Sequence, residues 1–94
     1  MNYQIFFTKK ASEDLKSIKK YIYDDNEIAA KKVIEKIISD IDILKINPSL
    51  GRMGRILRTR ELVISKYPYI IPYQIDNCNI YILRVLHTSK KWEI

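Results

Sequence analysis

The stretch Arg60-Glu61-Leu62-Val63-Ile64-Ser65-Lys66-Tyr67-Pro68-Tyr69-Ile70-Ile71-Pro72-Tyr73-Gln74-Ile75-Asp76-Asn77-Cys78-Asn79-Ile80-Tyr81-Ile82-Leu83-Arg84-Val85-Leu86-His87 decides the fold. It is dense in β-branched and aromatic residues, and two clusters of turn formers cut it, Lys66-Tyr67-Pro68 and Asp76-Asn77-Cys78-Asn79. Three strands result, Glu61 to Ser65, Tyr69 to Asp76 and Asn79 to Leu86, joined as a meander. Pro72 lies inside the second strand and has no amide proton. That position is therefore expected at a bulge or on an unpaired side.

Working back toward the N-terminus, Asn47-Pro48-Ser49-Leu50-Gly51 is a stop signal, because Pro48 cannot continue a helix and disfavours helical geometry at Asn47. Before it, Ala30, Val33, Ile34, Ile37, Ile41 and Leu44 form an apolar stripe at helical spacing. Asn26 serves as its N-cap, and Glu27 falls in the first turn, where a negative charge is favourable. Earlier still, Ala11, Leu15, Ile18 and Ile22 recur along a helix capped by Thr8 and ending near Asp24. Two helices joined by so short a turn pack as an antiparallel hairpin. Tyr3 to Phe7 is a first strand, with Tyr3, Ile5 and Phe7 on one face. The order β-α-α-β-β-β defines an α+β fold: a mostly antiparallel four-stranded sheet with a two-helix hairpin on one face. On the other face, Arg58, Arg60, Arg84, His87, Tyr73 and Tyr81 are candidates for a concave basic and aromatic surface.

The 94 residues are read as one domain spanning 1–94, with 47% hydrophobic and 30% charged residues, a globular balance. Pro68 and Pro72 interrupt the longest apolar run, far short of the roughly 20 residues that cross a bilayer, so no membrane partner is expected. Met1-Asn2-Tyr3-Gln4 shows no export leader, and a cytoplasmic location follows as the expectation. Cys78 is the single cysteine, which excludes an intramolecular disulfide and a cysteine metal cluster.

The net charge is +6, unevenly placed. Up to Ile46 there are nine lysines against eight acidic residues, whereas from Asn47 onward eight basic residues face only Glu61, Asp76 and Glu93. All five arginines, Arg52, Arg55, Arg58, Arg60 and Arg84, belong to that second half. Their planar forks suit bidentate contacts with carboxylates and phosphates.

His87 is the only histidine, and the one side chain whose unperturbed pKa suits proton transfer near neutrality. Arg84 interrupts the apolar run Ile80 to Leu86 and reads as a charge on the solvent side of a half-exposed strand. Strict alternation puts Arg84 and His87 on opposite faces, so they converge only if the strand twists, bulges or ends between them. Metal-free RNA cleavage needs a base for the 2′-hydroxyl, cations for the phosphorane and an acid for the leaving oxygen. His87 and the arginines could fill the last two roles. Glu61 is a candidate base only if it faces the same surface, and Tyr73 or Tyr81 only with a lowered pKa. One histidine and one cysteine argue against a metal, and no cofactor is expected. Gly51-Arg52-Met53-Gly54 lacks the lysine and the strand-to-helix context of a P-loop.

The stretches Pro48 to Arg55, Thr59 to Ile64, Tyr67 to Tyr73 and Ile82 to His87, followed by Trp92, resemble in this order the RelE/ParE superfamily of bacterial type II toxins. The resemblance implies a small cytoplasmic toxin, linked to plasmid stabilisation, that is neutralised by a cognate antitoxin and reaches operator DNA only through it. It implies one of two actions: cutting messenger RNA on the ribosome, as RelE-like members do, or inhibiting DNA gyrase, as ParE-like members do. In the first case Arg84, His87 and Arg60 are the implied catalytic residues. In either case Arg52, Arg55, Arg58, Arg60, Lys90, Lys91 and Trp92 are candidates for binding target or antitoxin. Thr59-Arg60-Glu61-Leu62 and Tyr67 to Tyr73 look closer to the ParE-like branch, and the several lysines common on the central strands of ribosome-dependent members are missing.

Overall fold

The computed structural model describes residues 2–89. Strand β1 (Gln4–Phe7) leads into helices α1 (Lys9–Asp25) and α2 (Glu27–Asp42), and a turn of 3₁₀ helix, Ile43–Lys45, extends α2. Strands β2 (Arg52–Met53), β3 (Arg60–Val63), β4 (Tyr69–Asp76), β5 (Asn79–Ile82) and β6 (Leu86–His87) follow. Both helices start where the sequence caps them. The Thr8 hydroxyl accepts from the Ala11 amide at 3.2 Å and the Asn26 side chain from the Ala29 amide at 3.0 Å. Asn26 also ends α1 by donating its own N–H to the Ile22 carbonyl at 2.7 Å, so one residue closes one helix and opens the next.

The sheet runs β1-β5-β4-β3-β2, with β1 parallel to β5 and the other pairs antiparallel. Two features depart from the four-strand reading. A two-residue strand, β2, folds back on β3. The expected strand Asn79 to Leu86 is broken into β5 and β6, which pair with successive parts of β4. The stripe Val33, Ile37 and Ile41 of α2, continued by Leu44 of the 3₁₀ turn, packs with Ala11 of α1 onto Leu62, Ile71, Tyr73, Ile80 and Ile82 of the sheet and onto Ile64 just beyond β3. Burial of these aliphatic side chains, worth roughly 1.5–3 kcal/mol apiece, is the main stabilising term.

Pro72 sits in regular register in the central strand, opposite Glu61 on one side. On the other side its carbonyl accepts from the Leu83 amide at 2.9 Å. An antiparallel pair of this kind would exchange a second bond, which proline cannot donate. The orphaned Leu83 carbonyl is met instead by the Thr8 hydroxyl at 3.0 Å, which also lies 2.9 Å from the Ile82 carbonyl. The α1 cap thus supplies the donor that β4 lacks, and no bulge forms at Pro72 itself.

The bulge lies across from it. Tyr73 is opposite Ile82 but Ile70 is opposite Leu86, so the last strand carries one more residue than β4 over this interval. The extra residue falls at Arg84-Val85, beside Ile71. Beyond a one-residue bulge every side chain changes face. His87, opposite Tyr69, therefore comes to the helix side, where Arg84 also points.

Candidate functional site

The bulge builds a groove of about 520 Å³ between α1 and the last strand, lined by Asp14, Ser17, Ile18, Tyr21, Tyr69, Arg84, Val85, Leu86, His87 and Ser89. Asp14 is its organising residue. One carboxylate oxygen takes the Arg84 Nε at 2.8 Å and the Val85 amide at 2.9 Å, and the other takes the second guanidinium nitrogen at 3.0 Å. This fork holds the bulge open, because it replaces the ladder partner that the extra residue has lost. The bond to Asp14 raises the Arg84 pKa above its ordinary value against the opposing effect of burial. Arg84 is a half-buried, paired cation, not the lone charge on a solvent face that alternation suggested.

His87 stands edge-on to the Tyr69 ring, 5.6 Å between centroids. Its Nδ1 accepts the Ser89 amide at 3.1 Å and lies 2.8 Å from the Ser89 hydroxyl. With Nδ1 engaged as an acceptor, Nε2 is the ring nitrogen left to meet a ligand. Burial pushes the phenol of Tyr69 above the usual tyrosine value of 10.0. The groove therefore assembles a cation, an imidazole and two phenols, and its one carboxylate among the described residues is committed to Arg84.

The other basic residues lie elsewhere. Arg60, opposite Tyr73 on the helix side of the sheet, donates to the carbonyls of Gly51 (2.8 Å) and Ser49 (3.3 Å). Tyr73 is fully buried, with its hydroxyl donating to the Pro48 carbonyl at 2.7 Å and accepting the Gly51 amide at 2.8 Å. Burial raises its pKa, an effect larger than the lowering by the Gly51 amide and Arg60, so Tyr73 is a clamp on the 48–51 loop and no phenolate base. Gly51 permits this clamp: a Cβ there would stand 2.6 Å from the Tyr73 ring.

Glu61 points to the face away from the helices and is only 3% exposed. One of its oxygens accepts from Arg52 at 3.1 and 3.3 Å, and the other accepts the Arg55 amide at 3.2 Å with the Arg55 guanidinium 3.8 Å away. Glu61 is thus the counter-ion of two arginines. Between β2 and β3 the chain forms an arch, Gly54 to Thr59, closed by the Gly54 amide on the Thr59 carbonyl (2.9 Å) and the Thr59 hydroxyl on the Ile56 carbonyl (2.6 Å). Arg58, at its far side, has a left-handed backbone with φ 67° and is exposed.

The expected concave surface is therefore divided. Arg84 and His87 share the groove beside α1, Arg60 and Tyr73 clamp a loop on the helix side, Arg58 tops the arch, and Tyr81 alone lies on the uncovered face, stacked with Phe6 at 5.7 Å. Lys90, Lys91 and Trp92 fall outside the described residues. Sequence reasoning missed Asp14, Ser17, Tyr21 and Tyr69. The first three share one flank of α1 at spacings of three and four with Ile18, a periodic signal that was available.

Residues 5–92 match the ParE toxin of type II toxin–antitoxin systems, parDE. Y4kP of Sinorhizobium fredii, a presumed toxin by its name, is 42% identical over 89 residues, covering 95% of this chain and 92% of that protein. Toxin RelE2 of Caulobacter vibrioides is 30% identical over 87 residues, covering 93% and 97%. Among solved structures, the chromosomal ParDE toxin–antitoxin system from P. aeruginosa superposes with TM-score 0.82 at 24% identity, over 90% of this chain and 95% of that one. The RelBE2 toxin–antitoxin complex of Mycobacterium tuberculosis superposes with TM-score 0.68 at 22% identity, over 93% and 99%. The α+β fold with its helix hairpin and mixed sheet is that of the RelE/ParE toxins. This chain belongs to the ParE toxin family of type II toxin–antitoxin systems.

Proposed function

We propose that this toxin acts by binding DNA gyrase in the ParE manner, and that a cognate antitoxin with an acidic, amphipathic C-terminal segment neutralises it in the cytoplasm. The observation that carries the reading is the dispersal of the residues a nuclease would need. Arg60 serves the 48–51 loop further along β4, Arg84 is locked to Asp14, Glu61 is bound by two arginines, and Tyr73 is buried with a raised pKa. The match to the ParE family supports the same reading. What is left in the groove, a paired cation and an imidazole held by Ser89, is suited to recognising a partner.

The competing reading is ribosome-dependent cleavage of messenger RNA, favoured by the placement of Arg84 and His87 in one groove. His87→Gln decides between them, since glutamine keeps a hydrogen-bonding side chain but cannot titrate near neutrality. The purified variant should inhibit gyrase supercoiling as wild type does. If wild type leaves gyrase untouched and cuts ribosome-bound messenger, and His87→Gln lowers that cutting by ~10²-fold or more, the proposal fails.

A further inference from the structure

The arch between β2 and β3 has a composition that neither the fold nor the clamp explains. Met53 is 77% and Leu57 85% exposed, two large apolar side chains that stand in water without packing. Around them are Arg52, Arg55 and Arg58, all exposed, and the only carboxylate in this segment is the buried Glu61. Leucine and methionine contribute nothing to solubility in a segment this basic, and set beside arginines they match the composition of an interface centre, where burying them against a partner would be favourable. The arginines are also pre-ordered: Glu61 holds Arg52 through its side chain and Arg55 through its backbone amide, which reduces the conformational entropy lost on binding.

We propose that the arch, through Met53, Leu57 and Arg58 with Arg52 and Arg55 flanking them, is the surface by which this toxin grips its target, and that it docks on an acidic protein surface with an apolar recess. Methionine and arginine are enriched at the centres of protein interfaces, and an acidic partner complements the positive charge that Glu61 alone does not balance. A nucleic-acid backbone would satisfy the arginines but offers nothing to Leu57 or Met53, so a protein partner is favoured. The arch is also separate from the groove. It leaves β3 at Arg60, opposite Tyr73, whereas the groove is built at the other end of β4 around Tyr69, and Glu61 with Arg52 faces away from α1. One molecule can thus present one surface to the target and another to a neutralising partner. The proposal rests on the reading that the toxin works by holding a protein target.

The test uses two single variants of the full-length toxin. Leu57→Ser removes the apolar side chain without adding charge. Arg58→Asn removes the charge with a residue that tolerates the left-handed backbone. Each should raise the toxin concentration needed for half-inhibition of gyrase by about tenfold or more, with thermal midpoint and antitoxin affinity unchanged. If Arg58→Asn alone weakens the toxin, the arch contacts a polyanion and the proposal is overturned. It is equally overturned if both variants match wild type, or if antitoxin affinity falls in parallel. Should wild type fail to inhibit gyrase, the gyrase reading falls by itself, and growth arrest then judges the arch: relief by both variants sustains it, and undiminished arrest by either sinks it.

Discussion

Asp14 shows how one side chain can define a site. Its carboxylate makes three hydrogen bonds across the gap between α1 and the last strand, two to the Arg84 guanidinium and one to the Val85 amide. Removing Arg84 leaves an acceptor short of its partner in a partly dry groove, and removing Asp14 leaves both a cation and an amide unmet. Arg84→Ala should therefore cost about 1–2 kcal/mol, the pair being partly open to water, and Asp14→Ala more, because it also releases the bulge. Chemical denaturation of both single variants and the double variant checks this. The double variant should cost clearly less than the sum of the two, and strict additivity would mean that the pair does not couple. In the sequence Arg84 is an anomaly in an apolar strand, legible only as a charge on its solvent side. The partner could not be read, because it lies seventy positions earlier on another element.

At the scale of elements, the local signals were legible and the compensations were not. Thr8, Asn26 and Pro48 punctuate the helices as their side-chain chemistry requires. Pro72 was legible as a defect in a strand, but its remedy was hidden: the missing donor comes from Thr8, at the opposite end of the sequence. The bulge at Arg84-Val85 was hidden for a related reason. Its cause is a register shift against β4 stabilised by α1, and strand periodicity alone carries no information about either. The same dependence explains the candidate site. Arg84 and His87 were identified as its residues, yet only the bulge puts them on one face. Thr8 thus has two duties, capping α1 and capping the sheet where proline cannot. Thr8→Val, nearly isosteric, deletes both and should cost about 2–3 kcal/mol, more than the ~1 kcal/mol of an ordinary N-cap. Thr8→Ser keeps the hydroxyl and should recover most of it. Thermal unfolding monitored by circular dichroism measures the difference, and a loss in Thr8→Ser with little or none in Thr8→Val would show that packing of the methyl group, not the hydroxyl, is what matters.

At the scale of the molecule, the asymmetry of charge in the sequence becomes an asymmetry of surfaces. The lysine-rich first half spreads its cations over two helices among comparable numbers of acids, while the arginines of the second half, apart from Arg60 on the 48–51 loop, gather around the arch and in the groove. A protein so arranged attracts acidic partners at a distance and sorts them at close range by the apolar side chains beside each arginine. Two such surfaces at opposite ends of β3 and β4 fit a toxin that has to be held by one protein and to hold another. The expectation in living cells follows from this. Induced synthesis should arrest bacterial growth, and simultaneous synthesis of an antitoxin with an acidic, amphipathic C-terminal segment should restore it. If gyrase is the target, its trapping leaves broken DNA before growth stops, and the DNA-damage response and filamentation should precede any fall in protein synthesis. Timed reporters of DNA damage, set against incorporation of labelled amino acids, distinguish the two orders of events. If protein synthesis fell first and ribosome-bound transcripts carried new cuts, the groove around His87 would be a catalytic site, and Asp14 would be the residue that positions it.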